Sequence, residues 1–242
     1  MNKPLWQPST DKRENSLLMD FCKFVELNPK SFNSVWKWSV ENPKIFWSKF
    51  WDFSKIIGDK GKEIINFNEV FNRTRFFQDS KLNYLEIGSW EGLSAFFILN
   101  YFENAQITCV DTWCGGAEHQ NKYNFDKIET NFDYNTKCFK ERLTKFKGTS
   151  YKFFEQNNLI DFFDFIYVDG SHYCDDVLID ALKSFQLLKV GGIIIFDDFI
   201  GWDNGDHPKL RPLGALDAFL KLKKNSYRII EVSHQLTLQK IL

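Results

Sequence analysis

The larger part of this sequence predicts an α/β fold: a doubly wound, mostly parallel sheet that ends in an antiparallel hairpin. Three observations point there. From residue 82 onward, short β-branched or aromatic runs alternate with longer amphipathic stretches, the pattern of a parallel sheet with helices on both faces. Glycine, which punctuates such connections, is concentrated in the same part: only Gly58 and Gly61 precede Lys81, and eleven follow it. The last two apolar runs are too close together for a crossover, so they must pair as a hairpin.

Taken in order, the region before Lys81 reads as helical. Glu14 to Glu26 carries Leu17, Leu18, Phe21, Phe24 and Val25 at helical spacing. Asn42-Pro43 places an N-cap before a proline at the first helical position and opens a helix over Pro43 to Phe53, which Ile57-Gly58 closes. The expected division is a small helical domain, 1–81, and an α/β domain, 82–242. In the second, Asn83 to Ile87 reads as a strand, Gly92 to Phe102 as a helix and Gln106 to Val110 as a strand. Phe125 to Phe146 reads as a long, mostly polar helical stretch, and Tyr151 to Phe154 as a weak strand. Phe163 to Val168 is a strong strand, Asp175 to Leu188 an amphipathic helix stopped by Gly191-Gly192, and Ile193 to Phe196 a buried strand. Leu213 to Leu222 is helical, and Arg228 to Val232 and Gln235 to Lys240 are the final strands, joined by Ser233-His234. No repeat or low-complexity tract interrupts this order.

Composition excludes several classes. With 43% hydrophobic and 26% charged residues, the 242-residue chain has the profile of a soluble globular protein. Its net charge of −1 is not the footprint of a nucleic-acid binder, and no apolar run approaches a membrane span. The polar first twenty residues do not form a signal peptide. Five scattered cysteines show neither zinc-ligand spacing nor a disulfide framework, so a reduced, cytoplasmic compartment is expected. Aromatics are abundant at 17%, and Trp36, Trp38, Trp47 and Trp51 crowd one short stretch. That stretch reads as aromatic core, or as a surface for a ligand or partner.

The turn after the first strand, Tyr84-Leu85-Glu86-Ile87-Gly88-Ser89-Trp90-Glu91-Gly92, lies where a doubly wound sheet binds its ligand. Gly88 lets the backbone approach a ligand, and Gly92 permits close packing at the helix start. Glu86 favours a ligand with a cationic amine. Asp111, after the next strand, can accept hydrogen bonds from both ribose hydroxyls. Trp90 holds the middle position of G-x-G-x-x-G, where a dinucleotide site needs glycine. A nucleoside with an amino-acid tail suits the turn better, and S-adenosylmethionine is such a ligand.

Residues from about 82 to 242 resemble the class I, Rossmann-like, S-adenosylmethionine-dependent methyltransferases. More narrowly, they are similar to small members carrying L-E-I-G-S-x-E-G, C-x-D-T-W/F-x-G-x-E-H, D-F-I-Y-x-D-G-S-H and G-G-x-x-x-F-D-D. The matching segments are Leu85 to Gly92, Cys109 to His119, Asp164 to His172 and Gly191 to Asp198. The resemblance implies a transferase whose cofactor is held by Glu86, Gly88, Ser89, Gly92, Asp111, Thr112, Trp113 and Asp169. By strand order it adds Gln156 as an adenine contact. Glu118-His119 reads as a lid or substrate contact, or as a solvated loop, while His207 and His234 read as structural or surface residues.

Asp169 and Asp197-Asp198 end two strands of one parallel sheet, so three carboxylates and His172 should converge beside the methyl donor. Crowded carboxylates need compensation, and a hard divalent ion such as Mg²⁺ on Asp169, Asp197 and Asp198 would supply it. Metal-dependent sugar O-methyltransferases, which this arrangement resembles, place aspartates at these strand ends. His172, the favoured base, or Asp198 would then take the proton from an acceptor hydroxyl, with Asp169, Asp197 and Asp198 orienting the acceptor. The bland alternatives stay open: Asp197 caps the following turn, Asp198 is solvated, and His172 only packs against Asp169. A metal is not obligatory, because methyl transfer depends mainly on alignment.

The first part of the chain resembles a different family. Leu5-Trp6-Gln7-Pro8-Ser9, Trp38-Ser39-Val40-Glu41-Asn42-Pro43, Phe46-Trp47, Trp51-Asp52-Phe53, Ile57 to Gly61 and Arg75 to Tyr84 look like the N-terminal domain of acetoacetyl-CoA synthetases. Nothing matches the synthetases' phosphate loop or catalytic lysine, so adenylation is not implied. The expectation is a methyltransferase acting on the hydroxyl of a small polar acceptor, with neither nucleic acid nor membrane as partner. The aromatic face of the first domain would be covered by the methyltransferase, by a second copy in a homo-oligomer, or by another protein. The rivals are a non-catalytic docking protein and a nucleotide-binding oxidoreductase.

Overall fold

Local capping explains how the first part of the chain is cut into helices. The computed structural model describes residues 9–28, 31–54, 74, 76, 79–116, 125–200 and 212–242. The chain divides into two compact units, Met1–Ile64 and Ile65–Leu242. In the first unit, helices α1 (Thr10–Glu14) and α2 (Leu17–Phe24) replace the single helix expected over Glu14 to Glu26. Ser16 causes the break: its hydroxyl accepts from the Met19 N–H and restarts the helix as an N-cap. Helix α3 (Phe32–Glu41) was not foreseen; Ser31 and Ser34 open it with a reciprocal capping box. Helix α4 (Pro43–Ser54) starts at the expected proline. Phe21 is the hub of this unit, with Phe46, Phe50 and Phe53 packed edge-on around it at ring distances of 5.2–5.9 Å.

The second unit is a seven-stranded sheet. Its elements are β1 (Asn83–Ile87), α5 (Leu93–Tyr101), β2 (Gln106–Asp111), α6 (Ile128–Thr136), β3 (Leu143–Lys147), α7 (Ser150–Gln156), β4 (Phe163–Val168), α8 (Cys174–Leu187), β5 (Leu188–Phe196), α9 (Pro212–Leu222), β6 (Tyr227–Val232) and β7 (Leu236–Lys240). The order across the sheet is β3-β2-β1-β4-β5-β7-β6, with β1 to β5 parallel and β7 antiparallel to both its neighbours. This is the Rossmann-like arrangement with a C-terminal hairpin. Alternate strand residues feed two cores. Leu85, Ile87, Ile166 and Val168 pack with α7, α8 and α9, while Tyr84, Phe165 and Tyr167 pack with α5 and α6.

Two elements depart from expectation. The stretch 125–146 is not one helix: it holds short 3₁₀ turns, α6, and then β3. The lysines of Leu-Thr-Lys-Phe-Lys read as helix surface, but they suit an edge strand, where charge discourages further pairing. Tyr151 to Phe154 is helical, because Thr149 caps α7 by accepting from the Lys152 N–H.

Candidate active site

The parallel strands end on one edge of the sheet, and strand order reverses between β1 and β4. Ligands of doubly wound sheets bind in the crevice outside such a reversal. The turn after β1 is built there from the inside outward. Gly88 has φ +84°, and a Cβ on it would lie 1.9 Å from the Asp169 carbonyl oxygen. Its bareness therefore serves close approach to the end of β4. Gly92 has φ +85°, and a Cβ would meet the Phe132 ring at 2.9 Å, so it seats the start of α5 against α6.

Asp111 holds this turn. Its Oδ2 accepts from the Ser89 and Trp90 N–H groups, each at 2.8 Å, and Oδ1 accepts from the Trp113 N–H at 2.6 Å. The expected ribose ligand is thus already engaged by three amides. A carboxylate has about four acceptor sites, so one remains for a ligand. Trp113, expected at the cofactor, has its ring in the core instead: it is 3% exposed, packs on Phe132, and donates its indole N–H to the Trp90 carbonyl at 2.9 Å. Thr112 accepts from the Cys114 N–H and shapes the next turn. Gln156 is not at this edge. It is exposed at the C-terminal end of α7, which starts after β3 and runs back toward the opposite edge of the sheet. The residues that do follow β3 here are Gly148, Thr149 and Ser150.

Glu86 is fully buried beneath the turn. Two residues apart on one face, Tyr84 donates its hydroxyl to Glu86 Oε2 at 2.7 Å. Oε1 and the buried Ser89 hydroxyl make no hydrogen bond. Burial raises the Glu86 carboxyl to about 7, opposed by nearby hydroxyls. Asp169, at the end of β4, is pushed well above the usual carboxylate range by desolvation and by Asp197, Asp198, Glu86 and Asp111. Carboxyl groups thus crowd this edge of the sheet, and burial and mutual repulsion favour their neutral forms.

The three aspartates expected around Mg²⁺ do not close on one another. Asp197 Oδ2 accepts from the Tyr167 hydroxyl at 2.8 Å and Oδ1 from the Gln235 amide at 2.9 Å, so its carboxylate is turned toward β4 and β7. Burial raises its pKa, as does Asp198 beside it. Among the described residues, ligand atoms gather instead as Asp169–His172–Asp198 and Asp197–Asp198–His234. Both sets mix imidazole nitrogen with carboxylate oxygen, unlike the all-oxygen shell Mg²⁺ demands. In both, Asp198 is already engaged by imidazole. Its Oδ2 lies 2.7 Å from His172 Nε2, and its Oδ1 lies 3.2 Å from His234 Nε2. The expected Asp169–Asp197–Asp198 ion site therefore does not fit, and His172 pairs with Asp198 rather than Asp169.

His234, expected to be a structural or surface residue and exposed here, and Gln235 and Tyr167, which were not singled out, are brought beside Asp197-Asp198 by tertiary pairing. β7 runs antiparallel to β5 with Leu236 opposite Phe196, so the turn before β7 lies beside Asp197-Asp198. Counting that register back from the hairpin was the available signal. Glu118, His119 and His207 lie outside the described residues.

Comparison with known proteins agrees with this fold. Residues 85–199 match the family model described as a methyltransferase domain. An O-methyltransferase from Bacillus cereus in complex with S-adenosylhomocysteine superposes with a TM-score of 0.53 at 14% identity, over 80% of this chain and 89% of that one. The MycE methyltransferase of the mycinamycin biosynthetic pathway, in complex with Mg and S-adenosylhomocysteine, superposes at 0.50 and 17% identity, over 72% and 49% of the two chains. At such identities the likeness is one of fold. Separately, 88 residues are 30% identical to an acetoacetyl-coenzyme A synthetase from Rhizobium meliloti, covering 35% of this chain and 14% of the synthetase. The chain thus spans only about one seventh of that relative's length. An uncharacterized protein, R132, from Acanthamoeba polyphaga mimivirus is 22% identical over 135 residues, 56% of this chain and 59% of that one. Residues 85–199 are thus similar to a methyltransferase domain, and they lie on a sheet of Rossmann-like order.

Proposed function

We propose that this chain transfers a methyl group from S-adenosylmethionine to the hydroxyl oxygen of a small polar acceptor, with His172 as the base. The observation that carries the proposal is the His172–Asp198 pair, 2.7 Å apart, at the strand edge where the turn Gly88–Gly92 opens the crevice. The orphaned Glu86 Oε1 and Ser89 hydroxyl fit a ligand with a cationic amine, and the remaining acceptor site of Asp111 fits a ribose hydroxyl. When bound, the cofactor supplies an electrophilic methyl on a sulfonium. Asp198 fixes the ring of His172 through Nε2 and stabilises the imidazolium that forms when the ring takes the acceptor proton. One proton leaves the hydroxyl for each methyl it gains, so the balance closes on His172.

Calorimetry with S-adenosylhomocysteine and with NAD tests the cofactor: the first should bind and the second should not. Radiolabelled methyl transfer to a panel of small hydroxylated compounds tests the reaction, and His172→Ala should abolish the label incorporated. Binding of NAD without any response to S-adenosylhomocysteine would overturn the reading.

A further inference from the structure

The turn after β1 is shaped to gather backbone N–H donors, yet it spends them inside the protein. Gly88, Trp90 and Gly92 have φ of +84°, +46° and +85°, and left-handed residues of this kind turn successive N–H groups into an anion-binding concavity. The Ser89 and Trp90 N–H groups indeed converge on one oxygen, Asp111 Oδ2, each at 2.8 Å, and the Trp113 N–H donates to Oδ1 at 2.6 Å. The Gly88 N–H donates to the Val110 carbonyl at 2.9 Å, and the Gly92 N–H to the Ser89 carbonyl at 2.8 Å. In a dinucleotide site the corresponding turn amides cradle the pyrophosphate. Here those of Gly88, Ser89, Trp90 and Gly92 are all committed. Trp90 is also pinned in place. Its carbonyl accepts from the Trp113 indole N–H at 2.9 Å, and its ring packs edge-on against Phe125 at 6.0 Å. The Phe125 ring is seated over Gly115, where any Cβ would collide with it. A residue as bulky as tryptophan keeps a positive φ only where its surroundings impose it, and these contacts are the imposition.

We propose that Asp111 is a specificity-determining residue: its carboxylate fills the phosphate nest of the turn from within, so that the site takes a nucleoside without phosphate and rejects nucleotides and dinucleotides. The carboxylate sits where a phosphate would collect its N–H donors. An incoming phosphate therefore finds the donors taken and a second anionic group beside them. A ribose hydroxyl meets the opposite situation, because it can donate to the acceptor site that Asp111 has left. As a choice between cofactors this rests on the methyltransferase reading, whereas the exclusion of phosphate is testable with no nucleoside present.

The test uses the full chain labelled with ¹⁵N, with inorganic pyrophosphate as the probe and the backbone amide spectrum as the readout. In the wild type, pyrophosphate should leave the Ser89, Trp90 and Trp113 amide resonances in place. In Asp111→Ala the same three resonances should shift and saturate, with an affinity about tenfold or more above any wild-type response, the scale of one charge-assisted contact. Affinity for S-adenosylhomocysteine should fall in that variant, so the two ligands move in opposite directions; a merely structural loss would lower both. Saturable shifts of these amides in the wild type, or a folded alanine variant whose amides ignore pyrophosphate, would overturn the proposal. If the alanine variant fails to fold, Asp111→Asn decides. Equal in size and uncharged, it should admit pyrophosphate, and a folded asparagine variant that gives no response overturns the proposal. Absence of S-adenosylhomocysteine binding in the wild type, with the pyrophosphate results as expected, would count against the methyltransferase reading alone.

Discussion

Glu86, Gly88 and Asp111 each shape the turn after β1 by a different physical means. Glu86 titrates at about 7 in the folded protein, against an ordinary value of 4.5. The folded state therefore holds its proton longer than the unfolded chain does. Stability from this group is full below about pH 4.5 and declines as pH rises toward 7, by up to roughly 3 kcal/mol, and then levels off. Glu86→Gln should raise the denaturation midpoint at pH 8 and change it little at pH 4; equal effects at both would refute the buried-acid account. Gly88→Ala forces a methyl onto the Asp169 carbonyl at positive φ and should cost about 3 kcal/mol or more by chemical denaturation. Gly214→Ala is the control. Within α9, with nothing within 4 Å of an added Cβ, it should stabilise by about 0.5–1 kcal/mol. Asp111→Ala removes three amide contacts and, on the proposed reading, the ribose acceptor, so it should weaken S-adenosylhomocysteine binding by about 1.5–3 kcal/mol in calorimetry.

Between elements, the site depends on how α5, α6 and the hairpin are seated. Asn131 and Asn135 of α6 donate to the Glu91 carboxylate and carbonyl, and Lys145 of β3 lies over the Trp113 ring at 4.6 Å. These contacts hold the far side of the turn. Gly92→Ala would press a methyl into the Phe132 ring at the start of α5 and should cost roughly 1–3 kcal/mol. The Trp113 environment should change with it, visible as a shift in tryptophan fluorescence of the folded state. A variant with wild-type stability and spectrum would show that α6 yields at no cost. Strand alternation and the glycine turn made β1, β2, β4 and β5 legible in the sequence. β3 and α7 were not, because an edge strand carries lysines like a helix surface and its identity comes from pairing with β2.

At the scale of the whole molecule, the first unit leaves Leu17, Phe32, Trp36 and Ile45 more than half exposed. Its small core around Phe21 is too limited to cover them, as expected of so short a helical body. The side chains of Trp47 and Trp51 lie outside the described residues. A chain beginning at residue 65 should lose solubility or change oligomeric state relative to the full protein, as read by sedimentation. If it stays monodisperse with the same subunit number and binds S-adenosylhomocysteine equally well, the first unit is an independent appendage and a docking role is its better account. No helix among the described residues is long and apolar enough to cross a membrane. All five cysteines are free, as their scattered spacing implied.

The sequence alone determined the layered fold and pointed to the strand edge that holds Glu86, Gly88, Gly92, Asp111, Asp169 and His172. All of these rest on local signals: strand alternation, a glycine turn, and acidic residues at strand ends. Tertiary structure decided how the acidic residues are used. Asp111 spends three contacts on the turn, Trp113 is sealed in the core, and Asp197 is drawn away by Tyr167 and Gln235, the latter 38 residues distant in sequence. His234 reaches Asp198 only because β7 pairs antiparallel with β5. Such partnerships are set by strand register across the sheet, and a carboxylate's role depends on which donors that register brings within about 3 Å.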